Sequence, residues 1–136
     1  MGLHVIPMSK FYFEIPLRPV PKNNSRPILT NRRTGKPFLG KNKALTEYET
    51  SALLVLQSQK NLQSVKTISE MVHVSLVFEF AGACRADIDN LIKSALDLLQ
   101  SAKIIQNDKL VKSLHVKILD HSTRDRTAMT LSNQLD

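Results

Sequence analysis

Cysteine occurs once in the 136 residues, at Cys84, so neither an intramolecular disulfide nor a cysteine-rich zinc site can form. The four histidines, His4, His73, His115 and His121, are scattered, and zinc is not expected. No apolar run approaches the roughly 18 residues that a membrane helix requires, and Met1–Lys10 lacks the basic-then-apolar pattern of a secretory signal. A cytoplasmic protein with no membrane association is the expectation. There is no P-loop and no glycine-rich dinucleotide turn, so no nucleotide cofactor is implied. Acidic residues are missing in one place above all: none occurs between Glu14 and Glu47.

That acid-free interval carries Arg18, Lys22, Arg26, Arg32, Arg33, Lys36, Lys41 and Lys43, eight of the nineteen basic residues in a chain of net charge +7. Prolines and asparagines among them read as loop. Such a segment would track a polyanion backbone, neutralising phosphates and releasing counterions with little regard for sequence. Arg26–Thr30 and Lys36–Leu39 flank Asn31-Arg32-Arg33-Thr34-Gly35, a pattern that predicts a short hairpin with Arg32 and Arg33 at its tip.

Apolar residues make up 42% of the chain and charged residues 23%, which is ordinary globular composition. One compact domain over residues 1–136 is expected, with the basic loop or hairpin at about 17–43. Lys10–Pro16 reads as a strand ended by its proline. From Asn42 to Gln59 the pattern is helical, with Ala44, Tyr48, Ala52, Val55 and Gln59 on one stripe and Leu45 and Leu56 nearby. Val72, Val74, Leu76, Phe78 and Phe80 alternate within a clear strand. A second helix begins near Asp87, its apolar residues Ile88, Leu91, Ile92, Ala95, Leu99 and Ala102 recurring at three- and four-residue spacing. Leu110–Leu119 and Arg126–Leu131 are the last two strands. The order predicts an α+β fold in which two main helices pack against one mixed β-sheet.

The stretch Arg85-Ala86-Asp87-Ile88-Asp89-Asn90-Leu91-Ile92-Lys93, answered by Asn107-Asp108 one helix length later, holds the chemistry. Clustered acids in a basic chain need a reason, and the commonest is to hold a hard divalent cation through oxygen ligands. Asp87 and Asp89 stand at a helix N-terminus, where backbone N–H groups also favour a phosphate oxygen. Lys93, one turn on, has the reach to join them, and a mixed sheet could return Asp108 to the same edge. The plainer readings make Asp87 an N-cap, Asp89 and Lys93 a surface i, i+4 pair, Asp108 a turn residue and Asp97 a surface or supporting residue. Taken singly, each of these outweighs catalysis. Cys84, His73 and His115 read as packing or surface positions.

Three separated blocks carry a resemblance: Arg85 to Lys93, then Ala95-Leu96-Asp97-Leu98-Leu99, then Ile105-Gln106-Asn107-Asp108-Lys109-Leu110-Val111. In order and spacing they resemble RusA-type Holliday junction resolvases, with an Asp-x-Asp-Asn-Leu-x-Lys helix and an acidic pair before a strand. Pro21-Lys22-Asn23-Asn24 resembles that family's N-terminal region more loosely. The resemblance implies a homodimeric, Mg2+-dependent endodeoxyribonuclease of phage or prophage character, with Mn2+ as a substitute metal, that resolves four-way junctions in DNA recombination and repair. It implies Asp87, Asp89 and Asp108 as metal-binding catalytic carboxylates and Lys93 as the functional lysine, supported by Asn90 and Asn107. DNA contacts are expected from Arg18, Lys22, Arg26, Arg32, Arg33, Lys36 and Arg85. Asn107 stands where the family has an acid, which implies weaker metal affinity. Arg85 stands alone where the family often has several arginines, which shifts DNA binding toward the Arg18–Lys43 loop. Two rival readings remain at this point: a non-catalytic nucleic-acid-binding module, and a metal-dependent nuclease acting on other branched DNA or RNA.

Overall fold

A computed structural model describes residues 9–22, 28–40 and 42–133. Arg26 and Lys41 of the basic interval lie outside the described residues. Strand β1 spans Lys10–Ile15, β2 Ile28–Thr30, β3 Pro37–Leu39, β4 Val72–Glu79, β5 Val111–Leu119 and β6 Arg126–Ser132. The helices are α1, Lys43–Leu62, and α2, Ile88–Ser101, and a single 3-10 turn at Asp108–Leu110 leads into β5.

Four strands form one sheet in the order β1-β6-β4-β5, in which only the β4–β5 pair is parallel. The predicted α+β fold with two helices on a mixed sheet is therefore what the chain adopts. One row of partners, Phe13, Met129, Leu76 and Val116, crosses the whole sheet on its inner face. There it meets Tyr48, Ala52 and Leu56 of α1 and Leu91, Ala95, Leu98 and Leu99 of α2 in one core. The outer face carries Tyr12, Ser75, His115 and Lys117, all exposed, as period-two alternation requires.

Why α1 forms where it does is visible at its start: the side chain of Asn42 accepts from the Leu45 N–H at 3.2 Å and caps the helix. Its buried stripe is Leu45, Tyr48, Ala52 and Leu56. Ala44, expected on that stripe, is exposed, because the helix turns its face one residue further round. Similarly, α2 buries Leu91, Ser94, Ala95, Leu98 and Leu99, while Ile88 is 47% exposed. Ile88 is the first residue of α2, in the opening turn ahead of the buried stripe. Leu114 is 40% exposed because β5 is an edge strand with one neighbour instead of two.

The parallel β4–β5 pair decides where the chemistry lies. A helix joining two parallel strands starts at the C-terminal end of the first and finishes at the N-terminal end of the second. Asp87 therefore lies at one end of the sheet and Asp108 at the other.

Candidate active site

The acid-bearing turn between β4 and α2 is held from several sides. Phe80 donates its N–H to the Leu119 carbonyl at 2.8 Å, and His121 and Ser122 donate theirs to the carbonyls of Gly82 and Phe80, both at 2.9 Å. The Asp125 carboxylate accepts the Ala81 N–H at 2.8 Å. Arg18 donates to the Ala83 carbonyl at 3.1 Å, pairs with Asp125 at 3.4 Å, and lies over the Phe80 ring. Behind this, buried Glu79 accepts hydrogen bonds from Arg126 and Ser122, with Arg124 3.7 Å away. These donors, Arg126 first, hold the Glu79 carboxyl below its ordinary range.

Asp87 occupies the N-cap position of α2, yet its side chain makes no capping hydrogen bond. The carboxylate is left exposed at the positive end of the helix dipole. Asp89 follows in the first turn, where one carboxylate oxygen accepts the adjacent Asn90 N–H at 3.0 Å. Lys93 is exposed one turn further along. No ion pair joins it to Asp89, so the expected surface pairing does not form. Asn90 is half-buried, and its carbonyl accepts the Lys22 N–H at 3.0 Å, which ties the basic segment to the head of α2.

Asp108 is elsewhere. Its backbone N–H donates to Oε1 of Gln100, in the last turn of α2, at 3.1 Å. Asn107 caps the 3-10 turn through its side chain, which accepts the Lys109 N–H at 2.8 Å. At 1.5 Å per residue α2 is about 20 Å long, and that length separates Asp108 from Asp87 and Asp89. The expectation that the sheet returns Asp108 to the same edge is thus not met within one chain. In agreement, no three carboxylate, histidine or cysteine side chains among the described residues converge as a metal-binding group.

The basic residues divide into two sets. Arg18 and Lys22 are engaged internally, Lys22 pairing with Asp97 of α2 at 2.8 Å and with Glu49 of α1 at 3.7 Å. The hydrogen bond to Asp97 raises the Lys22 pKa above its ordinary value. Asp97 is therefore a clamp between the loop and the helices. By contrast, Arg32, Arg33 and Lys36 sit on the β2–β3 hairpin, exposed and without ion pairs among the described residues. Arg85 is also exposed, and with Arg18, Phe80 and Ala86 it lines a shallow cleft of about 210 Å³.

Sequence reasoning missed Asp125, Glu79 with Arg126, and the Lys22 clamp. Their partners lie 44 to 107 positions apart for the Asp125 contacts and 47 for Glu79 and Arg126, and no local pattern signals pairs that far apart. His73 pairs with Ser113 at 2.7 Å on the outer face, and Cys84 is half-buried against the core.

Carboxylates left unpaired in a chain of net charge +7 are oxygen donors available to a ligand, and unpaired cations on a separate arm suit a polyanion. Together they are the chemistry that a nuclease uses on a phosphodiester backbone. Comparison with known families makes this specific: the model of Endodeoxyribonuclease RusA matches residues 16–131, and the chain belongs to that endodeoxyribonuclease family. A curated relative, the crossover junction endodeoxyribonuclease RusA of Aquifex aeolicus (strain VF5), is 31% identical over 99 residues, which is 71% of this chain and 71% of that protein.

Proposed function

We propose that this chain, acting as one domain, is a Mg2+-dependent endonuclease that resolves four-way DNA junctions as a homodimer, in recombination and repair in the cytoplasm. The observation that carries the reading is the state of its acids. Glu14, Glu47, Glu49, Glu79, Asp97 and Asp125 each have a cationic partner, whereas Asp87, Asp89 and Asp108, like exposed Glu70 and Asp120, have none among the described residues; of these five, Asp87 and Asp89 stand together at the head of α2, beside backbone N–H groups suited to a phosphate. Unpaired and exposed carboxylates are the donor chemistry that Mg2+ takes, and Mn2+ fits the same oxygens. No helix among the described residues is long and apolar enough to cross a membrane.

Because α2 separates Asp108 from Asp87 within one chain, a metal site that uses all three carboxylates would have to be completed across two copies, with Asp87 and Asp89 of one chain facing Asp108 of the other. Two-fold symmetry would then generate two such sites, suited to cutting two opposed strands of one junction. Bound Mg2+ would polarise the scissile phosphate and lower the pKa of the attacking water. Lys93, on the same face as Asp89, would neutralise charge on that phosphate, and the N–H groups at the head of α2 would receive a phosphate oxygen. Asn90 and Asn107 hold their loops, Asn90 through its carbonyl bond to Lys22 and Asn107 through its cap. Arg32, Arg33, Lys36 and Arg85 would meet DNA phosphates. Arg18 and Lys22 contribute chiefly through the contacts that order the loop, and Arg26 joins the DNA-binding set by its place in the acid-free interval.

The test is cleavage of a labelled synthetic four-way junction with and without Mg2+, beside linear duplex, flap and RNA substrates. Symmetric Mg2+-dependent nicks confined to the junction are expected. Equal cutting of flaps or linear duplex would overturn the junction assignment, and absence of nicking by a folded protein would overturn the catalytic one.

A further inference from the structure

The β2–β3 hairpin is built unlike the rest of the molecule. Every described side chain from Ile28 to Phe38 is exposed, including Ile28 at 75%, Leu29 at 45% and Phe38 at 49%. Two short strands alone are marginal in water, so a hairpin that leaves such residues uncovered is shaped for something that covers them. Its tip is nevertheless ordered. Asn31 donates its N–H to the Lys36 carbonyl at 2.9 Å, its own carbonyl accepts the Gly35 N–H at 2.7 Å, and its side chain accepts the Arg33 N–H at 2.9 Å. Gly35, at φ +67°, supplies the left-handed residue that closes this turn.

Leu29 and Phe38 are direct cross-strand partners and share one face of the ribbon. Beyond them, at the tip, stand Arg32, Arg33 and Lys36, with no acid anywhere on the hairpin. An apolar pair capped by three unpaired cations is complementary to a surface that offers aromatic faces edged with phosphates. A second copy of the chain suits it poorly. Two such tips would bring like charges together, and two half-exposed side chains lie far short of the roughly 1,200 Å² that a specific protein interface buries.

Linear duplex stacks its base pairs end to end, whereas the base pairs that flank a strand exchange can be unstacked and uncovered. We infer that the β2–β3 hairpin is a branch-point wedge: the Leu29–Phe38 pair packs on base-pair faces exposed at the centre of branched DNA, while Arg32, Arg33 and Lys36 grip the flanking phosphates. Apolar side chains of these types are the ones that part base steps, and stacking on an aromatic ring is indifferent to sequence. The inference rests on the junction-cutting reading and deepens it, since the hairpin, apart from the carboxylates, becomes the element that distinguishes a branch from a plain duplex.

The experiment uses the full-length protein in metal-free buffer and a four-way junction with 2-aminopurine beside the branch point, together with a linear duplex of the same arm sequence. Wild type is expected to raise 2-aminopurine fluorescence on the junction and to prefer it over the duplex. The variant Leu29→Ala plus Phe38→Ala should lose the fluorescence rise and about tenfold in junction affinity, the order of one base–aromatic stack, while duplex affinity is unchanged. Phe38→Trp should retain both. Because these side chains lie outside the core, circular dichroism and melting should match wild type. A Leu29→Ala plus Phe38→Ala protein that keeps both the fluorescence rise and the preference overturns the wedge, even if wild-type cleavage in Mg2+ upholds the resolvase reading. A variant that changes sedimentation from dimer to monomer also overturns it, by assigning the pair to a second copy. Wild type that neither prefers nor cuts junctions overturns the resolvase reading first and the wedge with it.

Discussion

The Asp108 N–H donates to Gln100 Oε1 in the last turn of α2, while Asp87 stands at the N-cap of the same helix. One helix thus holds the proposed metal ligands apart, and the consequence can be tested by mixing inactive proteins. If each site takes Asp87 from one chain and Asp108 from another, a heterodimer of Asp87→Asn and Asp108→Asn carries one site with both lesions and one intact site. Neither variant alone should nick a junction measurably. Their mixture, after subunit exchange, should recover nicking of a single strand at up to about half the wild-type rate per heterodimer, since one of two symmetric sites survives. A mixture as inactive as its components, with exchange demonstrated by a size-tagged partner, excludes the shared site.

Acid should weaken this protein in part through Glu79. Its folded pKa lies below the ordinary carboxylate value of 4.5, chiefly through the Arg126 hydrogen bond and then that of Ser122. A depressed pKa contributes stability that is fully present above the unfolded value and is lost as the pH falls through the folded one. Glu79→Gln should therefore melt lower than wild type at pH 7, with the two curves drawing together as the pH falls below the ordinary carboxylate value of 4.5. Thermal melts from pH 2.5 to 7 would show it, and a constant gap across that range would mean that the carboxylate's charge does not matter.

Much of the fold was legible because the strongest signals are local. The alternation of Val72, Val74, Leu76, Phe78 and Phe80 and the three- and four-residue spacing of α2 depend only on which residues face the core; all five of the strand residues are buried, and of the apolar helix residues so spaced all but exposed Ile88 and half-buried Ile92 are. The hairpin was legible from Asn31 and Gly35, whose turn chemistry acts within five positions. Strand direction was not, because nothing in Val111–Leu119 records whether it runs parallel or antiparallel to β4, and that choice alone sends Asp108 to the far end of the sheet. Lys22 shows the same limit for the site. As a lysine in an acid-free stretch it reads as a phosphate contact, and only the packing of α1 beside α2 brings Glu49 and Asp97 to it.

That division among the cations predicts opposite behaviour for two substitutions. Arg32→Ala plus Arg33→Ala should reduce the slope of log K against log salt for junction binding by about 0.9 for each phosphate that is no longer neutralised, with no change in melting temperature. Lys22→Ala should leave the slope unchanged and lower the melting temperature by a few degrees, in keeping with surface ion pairs worth up to about 1 kcal/mol each. Affinity measured between 50 and 300 mM salt would decide; equal slopes for the double variant and wild type remove the hairpin tip from the DNA interface.

Asn107 tests how the second carboxylate position works. Its side chain caps the 3-10 turn by accepting the Lys109 N–H, and aspartate can accept the same hydrogen bond. Asn107→Asp should therefore fold as wild type does, within about 0.5 kcal/mol, and reach half-maximal cleavage at lower Mg2+, because it adds charge beside Asp108 without adding bulk. Asn107→Ala should lose about 1 kcal/mol through the missing cap. Loss of cleavage by a folded Asn107→Asp protein would show that the amide itself, as a hydrogen-bond donor, is needed.

The most direct prediction concerns Asp87→Asn and Asp89→Asn, each of which keeps shape while removing the charge that a hard cation requires. Asp87 makes no capping hydrogen bond through its side chain, and Asp89 accepts only from its neighbour Asn90. Folding therefore does not depend on either carboxylate, and melting temperatures should stay close to wild type. Junction affinity without metal should hold or rise, because a negative charge beside the bound phosphate is removed while the hairpin cations are untouched. Cleavage in Mg2+ should fall by at least about a hundredfold, the scale of losing a group that stabilises charge in the transition state. Measured on one preparation, these three quantities separate a purely structural role, which leaves all of them unchanged, from catalysis, which changes the last alone by orders of magnitude. If either variant cuts within about threefold of wild type, a spread small against the roughly hundredfold loss expected, that residue is not a metal ligand.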